Sequence, residues 1–346
     1  MRRRIGSPSA SSAPWSETSS AEVWVRLRAL FDCGRTSEYC SISVEHSTRG
    51  ESAVQIGRVG VWHPMVGKAP AEEGRRAAAR IEALGYGSIW VNEGWGSKEP
   101  FAAAAILLAA TERITLGTGI ANLWARDATA MAAAAVTVAD GHPGRFLLGV
   151  GVSHGPLVAR RGHDYTKPLT AMRTYLDAMD QAYKILPKAE FPTLLAALRP
   201  KMLELSRERA GGAHTYFVPP EHTAQARAIL GADRLLIPEQ AVVLESDPAR
   251  ARAIARTHMA YYLTLPNYLN NLRDLGYTDA DFAVGGSDRL TDAIVAWGDP
   301  AAVAGRVQAH LDAGADHVAL QPLSPEVPDL ADALAQLTRL APALGL

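Results

Sequence analysis

RITLGTGIANLWARDATAMAAAAVTVADGHPGRFLLGVGVSH, residues 113–154, decides the fold of this chain. An apolar run with a polar exit is followed by an Ala-rich segment of helical character, a Pro-Gly turn and a second apolar run that ends Gly151-Val152-Ser153-His154. Strand, helix and strand in so short a stretch form a βαβ unit, whose parallel strands release whatever follows them at the same end. Asn122 and His154 are therefore expected at one face.

The same alternation extends in both directions. Upstream, GRVGVW (57–62) and GSIWVN (87–92) read as strands, while PAEEGRRAAARIEAL (70–84) and PFAAAAILLAAT (100–111) read as helices. Downstream, PTLLAA (192–197), AHTYFV (213–218), LLIPEQAVVL (235–244) and DHVALQPL (316–323) supply further strands. Helices open near Pro200, Pro220, Pro248 and Pro300, where a missing N–H has no helical partner to lose. With ITLGTG and RFLLGVG there are eight strands separated by helices. The expected fold class is α/β, a (β/α)8 TIM barrel over residues 57–346; a doubly wound parallel sheet is the competing count. Two stretches exceed ordinary loop length, residues 155–190 after strand four and 265–299 after strand seven, and are expected to form lids or interface.

Residues 1–56 differ in texture. RRR, SPSASSAPWSETSS and a VWVRLRALF patch broken by two arginines read as a disordered extension, or as translation assigned from too early a start. A secretory signal would need an uninterrupted apolar stretch behind its basic start. The only cysteines, Cys33 and Cys40, suit neither a disulfide scaffold nor a four-ligand metal site, and point to a reducing cytoplasm. A net charge of -1 with interspersed signs gives no footprint for nucleic acid or an anionic membrane. No run of roughly 18 apolar residues is present, so no spanning helix is expected. The expected partner is a small molecule.

Barrel enzymes work at the carboxyl ends of their strands, so polar residues there are the candidates for chemistry. In strand order these are His63, Asn92 with Glu93, Asn122 with Arg126, Ser153 with His154, Arg199, His222, and Glu239 with Gln240 inside strand seven. No HxH or HExxH spacing occurs, which disfavours a metal. Lys68, read as a loop residue, and Lys201, at a helix start, do not suit a Schiff base. Trp90, inside strand two, reads as core, as do His258, Tyr261 and Tyr262 on an amphipathic helix. His63 and Trp124 are expected to line a pocket.

From about residue 57 to 322 the chain resembles the luciferase-like monooxygenase superfamily, in particular its branch of oxidoreductases that depend on the deazaflavin coenzyme F420. The resemblance is carried by GYGSIWVNE (85–93), ITLGTGIAN (114–122), GRFLLGVGVSH (144–154), RPKMLEL (199–205) and AGADHVALQ (313–321) in that order. It implies a non-prolyl cis peptide in a bulge after strand three, at Gly119–Ile120, with the cofactor rings against Gly119, Ile120, Ala121 and Asn122. Glu93 matches an acidic residue that contacts the cofactor. Where well-studied relatives follow that acid with a catalytic histidine, this chain has Gly94, so the role is vacant. His154 matches a carboxylate that acts as general acid in some relatives, and an imidazole of ordinary pKa about 6.5 keeps that capability. His63, Val152 and Ser153 fall beside the implied cofactor. Ala197, Leu198, Arg199 and Pro200 match the turn that presents backbone N–H groups to its phosphate, at a helix N-terminus suited to anions. Relatives have glycine where Arg199 stands; its side chain either adds a charge-assisted contact or obstructs close approach.

The resulting expectation is a cytoplasmic oxidoreductase that exchanges a hydride between F420 and an unidentified small organic substrate, with His154 and Glu93 as catalytic residues and no metal. The resemblance also implies a homodimer. Three alternatives stand beside it. One is a monooxygenase of the same superfamily that uses flavin mononucleotide (FMN) and oxygen. Another is a non-catalytic flavin- or deazaflavin-binding barrel, favoured by the vacancy beside Glu93. The last is an unrelated barrel lyase or isomerase with no redox cofactor.

Overall fold

The computed structural model describes Val54, residues 56–325 and residues 327–346. Most of the extension assigned to residues 1–56, including Cys33 and Cys40, lies outside the described residues. Eight parallel positions close a (β/α)8 barrel in the order β1 (Val59–Trp62), β2 (Ser88–Val91), β3 (Thr115–Thr118) with β4 (Ala121–Asn122), β5 (Phe146–Gly151), β6 (Thr193–Ala196), β7 (Gly212–Thr215), β8 (Leu235–Val243) and β10 (Val318–Pro322). Pairing of β10 with both β8 and β1 completes the ring. The short β9 (Ala296–Trp297), which the sequence reading did not anticipate, adds to β8.

The helices start where local chemistry tells them to. Proline occupies the first turn of α1 (Pro64–Lys68), α3 (Pro100–Leu108), α7 (Pro200–Arg209), α8 (Pro220–Leu230), α9 (Pro248–Tyr262) and α13 (Pro300–Asp312). Side chains of Glu99, Asp127 and Asp299 accept the backbone N–H groups of Ala102, Ala130 and Ala302 at the starts of α3, α4 (Ala128–Gly141) and α13. Lys68, expected in a loop, ends the short helix α1, which Pro64 opens. The helix read over 70–84 is α2 (Ala71–Ala83).

Both long stretches carry structure of their own. The first forms α5 (Gly155–Arg160) and α6 (Pro168–Tyr183); the second forms α10 (Pro266–Asp274), α11 (Asp279–Phe282), α12 (Asp288–Ile294) and β9. The chain then runs through α13 and β10 to α14 (Leu330–Leu340). Among the described residues, no helix is long and apolar enough to cross a membrane.

Trp62, Trp90, Leu147, Leu194, Ile237 and Ala319 fill the barrel, with Ile56 packed into the same cluster. A polar seam runs through this interior. The Trp90 indole donates to Ser88 Oγ at 2.8 Å, and Ser88 Oγ lies 2.8 Å from His317 Nε2, whose Nδ1 faces the Gly57 carbonyl at 3.1 Å. That order fixes one neutral tautomer, with the proton on Nδ1. His214 stacks on Trp90 at 4.7 Å and 12° and uses Nδ1 on the Ile237 carbonyl at 2.8 Å. Each of these side chains makes at least one hydrogen bond, which lowers the cost of burying it, although His214 Nε2 has no partner.

Two strands depart from their simple reading. Strand three splits, because Gly117 pairs with Leu147 and Ala121 with Val150, so four steps along one strand oppose three along the other. This is a one-residue β-bulge. Strand six ends at Thr215, not Val218, since Phe217 turns into left-handed backbone at φ 60 and gives its N–H to Glu239.

Candidate active site

The bulge lies at the carboxyl rim, where the resemblance placed a ledge, and Gly119–Ile120 is cis. Its surroundings dictate glycine. A Cβ on Gly119 would stand 2.6 Å from the Trp62 indole nitrogen, which donates to the Gly119 carbonyl at 3.0 Å. Across the gap, Thr118 Oγ1 donates to the Gly149 carbonyl and accepts the Gly149 N–H, at 2.8 and 2.9 Å. That hydroxyl takes over ladder bonds the bulge removes. A Cβ on Gly151 would meet Ile120 Cδ1 at 2.6 Å, so the Ile120 side chain occupies space this glycine leaves.

Glu93 is tied down. Its oxygens accept from Arg126 Nη2 at 2.5 Å and Nη1 at 2.9 Å, and Oε2 also accepts the Asn122 N–H at 2.8 Å. Both side chains are largely buried, and Arg126 reaches on to Glu99 at 3.1 Å. A bidentate carboxylate of this kind is a fixed strut between β2 and the bulge. Removing it leaves a largely buried guanidinium with only the half-exposed Glu99. Glu93→Ala is expected to lose about 3 kcal/mol of stability, readable as a lower denaturant midpoint. An unchanged midpoint would make the strut dispensable.

Asn122 is buried and uses Oδ1 on the Trp124 N–H at 2.9 Å; the Trp124 indole donates to the Val152 carbonyl at 3.0 Å. The exits of strand three and β5 are thereby locked together, as the βαβ reading required. Ser153 adopts φ 57 and directs the chain into His154. His154 is bonded by Asn267 from α10, and its ring centre lies 5.4 Å from Tyr268. Nδ1 is buried without a partner, and burial holds the ring down to about 4. His63, also buried, has both ring nitrogens unpartnered and is likewise held down to about 4 by burial.

At the next rim position, Ala197 is buried and the Leu198 carbonyl lies 2.6 Å from His222 Nε2. Arg199 precedes Pro200 at the start of α7, and its guanidinium pairs with Asp274 at 2.9 Å. The side chain whose direction the sequence left open is thus turned toward the end of α10.

Sequence reasoning assigned His258, Tyr261 and Tyr262 to packing. His258 and Tyr262 do pack, against Phe217, in a buried cluster that also holds Tyr216 and Tyr268, whereas Tyr261 is exposed. Glu239, noted within strand seven, points its carboxyl among these rings. Burial pushes it up to about 8, and the phenols of Tyr216 and Tyr268 lie well above their usual range for the same reason. Trp95 is exposed at the surface.

A Mycobacterium tuberculosis protein named as a coenzyme F420-dependent oxidoreductase is 34% identical over 136 residues, a stretch covering 38% of each chain and so well under two thirds of that relative. Among solved structures, the coenzyme F420-dependent tetrahydromethanopterin reductase from Methanopyrus kandleri superposes with a TM-score of 0.66 at 17% identity, over 83% of this chain and 100% of that one. The oxygenating constituent of 3,6-diketocamphane monooxygenase from Pseudomonas putida, in complex with FMN, does so at 0.62 and 14%, over 83% and 98%. At such identities these two show the fold. The sequence profile described as luciferase-like monooxygenase matches residues 49–317, which include every barrel strand but the last, and the chain belongs to that family.

Proposed function

We propose that this barrel binds the deazaflavin coenzyme F420 and exchanges a hydride between it and a small organic molecule. The observation that supports this most is the rim itself, where a one-residue bulge with no room for a side chain on Gly119 adjoins His154, whose buried Nδ1 has no partner. Unpaired buried groups are rare in folded proteins and suit the edge of a planar, hydrogen-bonding ring system. When bound, the deazaflavin supplies hydride transfer at a ring carbon.

In this reading Gly119, Ile120, Ala121 and Asn122 support the rings, with Val152, Ser153 and His63 at their edges. Ala197, Leu198, Arg199 and Pro200 hold the phosphate end at the start of α7, where unpaired N–H groups favour an anion. Glu93 holds the bulge in place through Asn122 and Arg126. His154 handles the proton at Nδ1. It is unprotonated at neutral pH, so it takes up a proton in one direction and returns it in the other.

Titration of the protein with oxidised and reduced F420 and with FMN tests the assignment. Tighter binding of the deazaflavin is expected; tighter FMN binding would overturn it in favour of an oxygen-using monooxygenase. His154→Ala is expected to lower turnover roughly 10²-fold while weakening cofactor binding only by the loss of one hydrogen bond, about 1 kcal/mol. Because burial lowers the His154 pKa to about 4, protonation silences it only in strong acid. Turnover should therefore stay level between pH 8 and 6, where a histidine of ordinary pKa already loses activity. A decline centred on pH 6.5 would contradict the role.

A further inference from the structure

A cleft of about 350 Å³ opens between α12, β9 and α13, away from every residue assigned a role above. It is walled by Asp292 of α12, Trp297 of β9 and, on α13, Ala302, Gly305, Arg306 and Ala309. Their spacing of three and four residues puts the last four on one face of that helix. The volume is that of a site for a small molecule.

Gly305 keeps the cleft open. A Cβ there would meet nothing within 4 Å, and the backbone is not in the left-handed region. Neither a close approach nor a turn calls for glycine at this position, and in the interior of α13 it lowers helix stability relative to alanine. What it leaves is open space along the wall.

The two charged groups in the wall differ in how they are satisfied. The Asp292 carboxylate accepts from Arg252 at 2.9 and 2.6 Å and from the Trp297 indole at 2.7 Å. Arg252 also stands over the Trp297 ring, 5.5 Å from its centre, so the indole is held in place as an aromatic wall. Arg306 donates from Nη1 to the Ala293 carbonyl at 2.6 Å and from Nη2 to the Asp292 carbonyl at 2.7 Å, at the end of α12. Those bonds use two of the five N–H groups of a guanidinium. Among the described residues no carboxylate is bonded to Arg306; Glu221 and Asp292 act on its charge only at longer range. An anion reaching Arg306 gains a charge-assisted bond, whereas a cation finds the one acid of the wall already paired. A flat ring gains contact with the indole beside a wall of alanine and glycine.

We propose that this cleft is a second ligand site, apart from the barrel rim, and that it takes a small aromatic carboxylate with its ring against Trp297 and α13 and its carboxylate on Arg306. The full chain is titrated at pH 7 with benzoate, benzyl alcohol, benzylammonium and acetate, and dissociation constants are read by saturation-transfer NMR. Benzoate is expected to bind about tenfold or more tightly than each of the other three, because only benzoate offers both ring and anion. Gly305→Leu, which sets a side chain into the cleft where nothing stands against it, should weaken benzoate about tenfold or more and leave the affinity for F420 or FMN as in wild type. Arg306→Met should bring benzoate down to the level of benzyl alcohol, and Trp297→Leu down to that of acetate. Equal binding of benzoate and benzylammonium, no binding of benzoate, full benzoate binding in Gly305→Leu, or an equal loss of cofactor affinity in that variant would overturn the proposal. Arg306 also holds the end of α12, so if Arg306→Met does not fold, the wild-type series and Gly305→Leu decide.

Discussion

The protein is expected to unfold near pH 5, well above the range in which carboxylate titration alone denatures most domains. Four fully buried histidines set this limit. Desolvation holds His63, His214 and His317 down to about 4 and His310 to about 3, against 6.5 in the unfolded chain. With the folded pKa depressed, the unfolded state binds more protons below 6.5, so stability is complete above that pH and is lost as pH falls toward 4. At pH 5 each ring contributes a loss of about 2 kcal/mol. Four such losses amount to about 8 kcal/mol, comparable with the roughly 5–15 kcal/mol that holds a typical domain folded. His154 and His258 act in the same direction. Circular dichroism against pH, with the denaturant midpoint measured at each pH, reads the effect directly. A midpoint that stays constant from pH 7 to pH 4.5 would show that these rings are not buried as the structure has them.

Glu239→Gln is expected to change the pH dependence of stability in the opposite sense. Burial raises the folded pKa from 4.5 to about 8, so between those values the folded state keeps a proton that the unfolded state has released. The stability associated with this carboxyl is complete below pH 4.5 and is lost as pH rises through 8. Over that window the loss is about 4 kcal/mol. Glutamine has no such titration and can still accept the Phe217 N–H. The variant should therefore be more stable than wild type at pH 8, with the advantage shrinking toward pH 5. A stability difference that does not vary with pH would mean Glu239 is ionised in the folded protein. A lost carboxylic-acid carbonyl band in the infrared spectrum of the variant is an independent check.

Much of the barrel was legible because its signals are local. Runs such as RFLLGVG have strand length, and Pro200, Pro220, Pro248 and Pro300 mark helix starts through a property of the residue alone. The bulge was legible only through resemblance: GTGIAN shows two glycines, but the clash that excludes a side chain at Gly119 comes from Trp62, far away in sequence. Glu93 was singled out for its place after strand two. Its ties to Arg126 and the Asn122 N–H could not be read from that position. Arg199 was ambiguous for the same reason, since Asp274 belongs to the second long stretch. Strand six was read three residues too long because AHTYFV has strand composition throughout, and only the Glu239 contact shows why Phe217 leaves the ladder.

Sequence by itself determined the order of the eight barrel strands and the main helices between them, the end of the barrel where polar residues gather, and the two long stretches that follow strands four and seven, because apolar period, helix caps and proline act within a few residues. Tertiary structure alone decided which of those polar residues carry charge. Whether Glu239 holds a proton or His154 lacks one depends on how much water neighbouring elements exclude, and those elements, β7, α9 and α10, converge on the two residues only when the barrel closes.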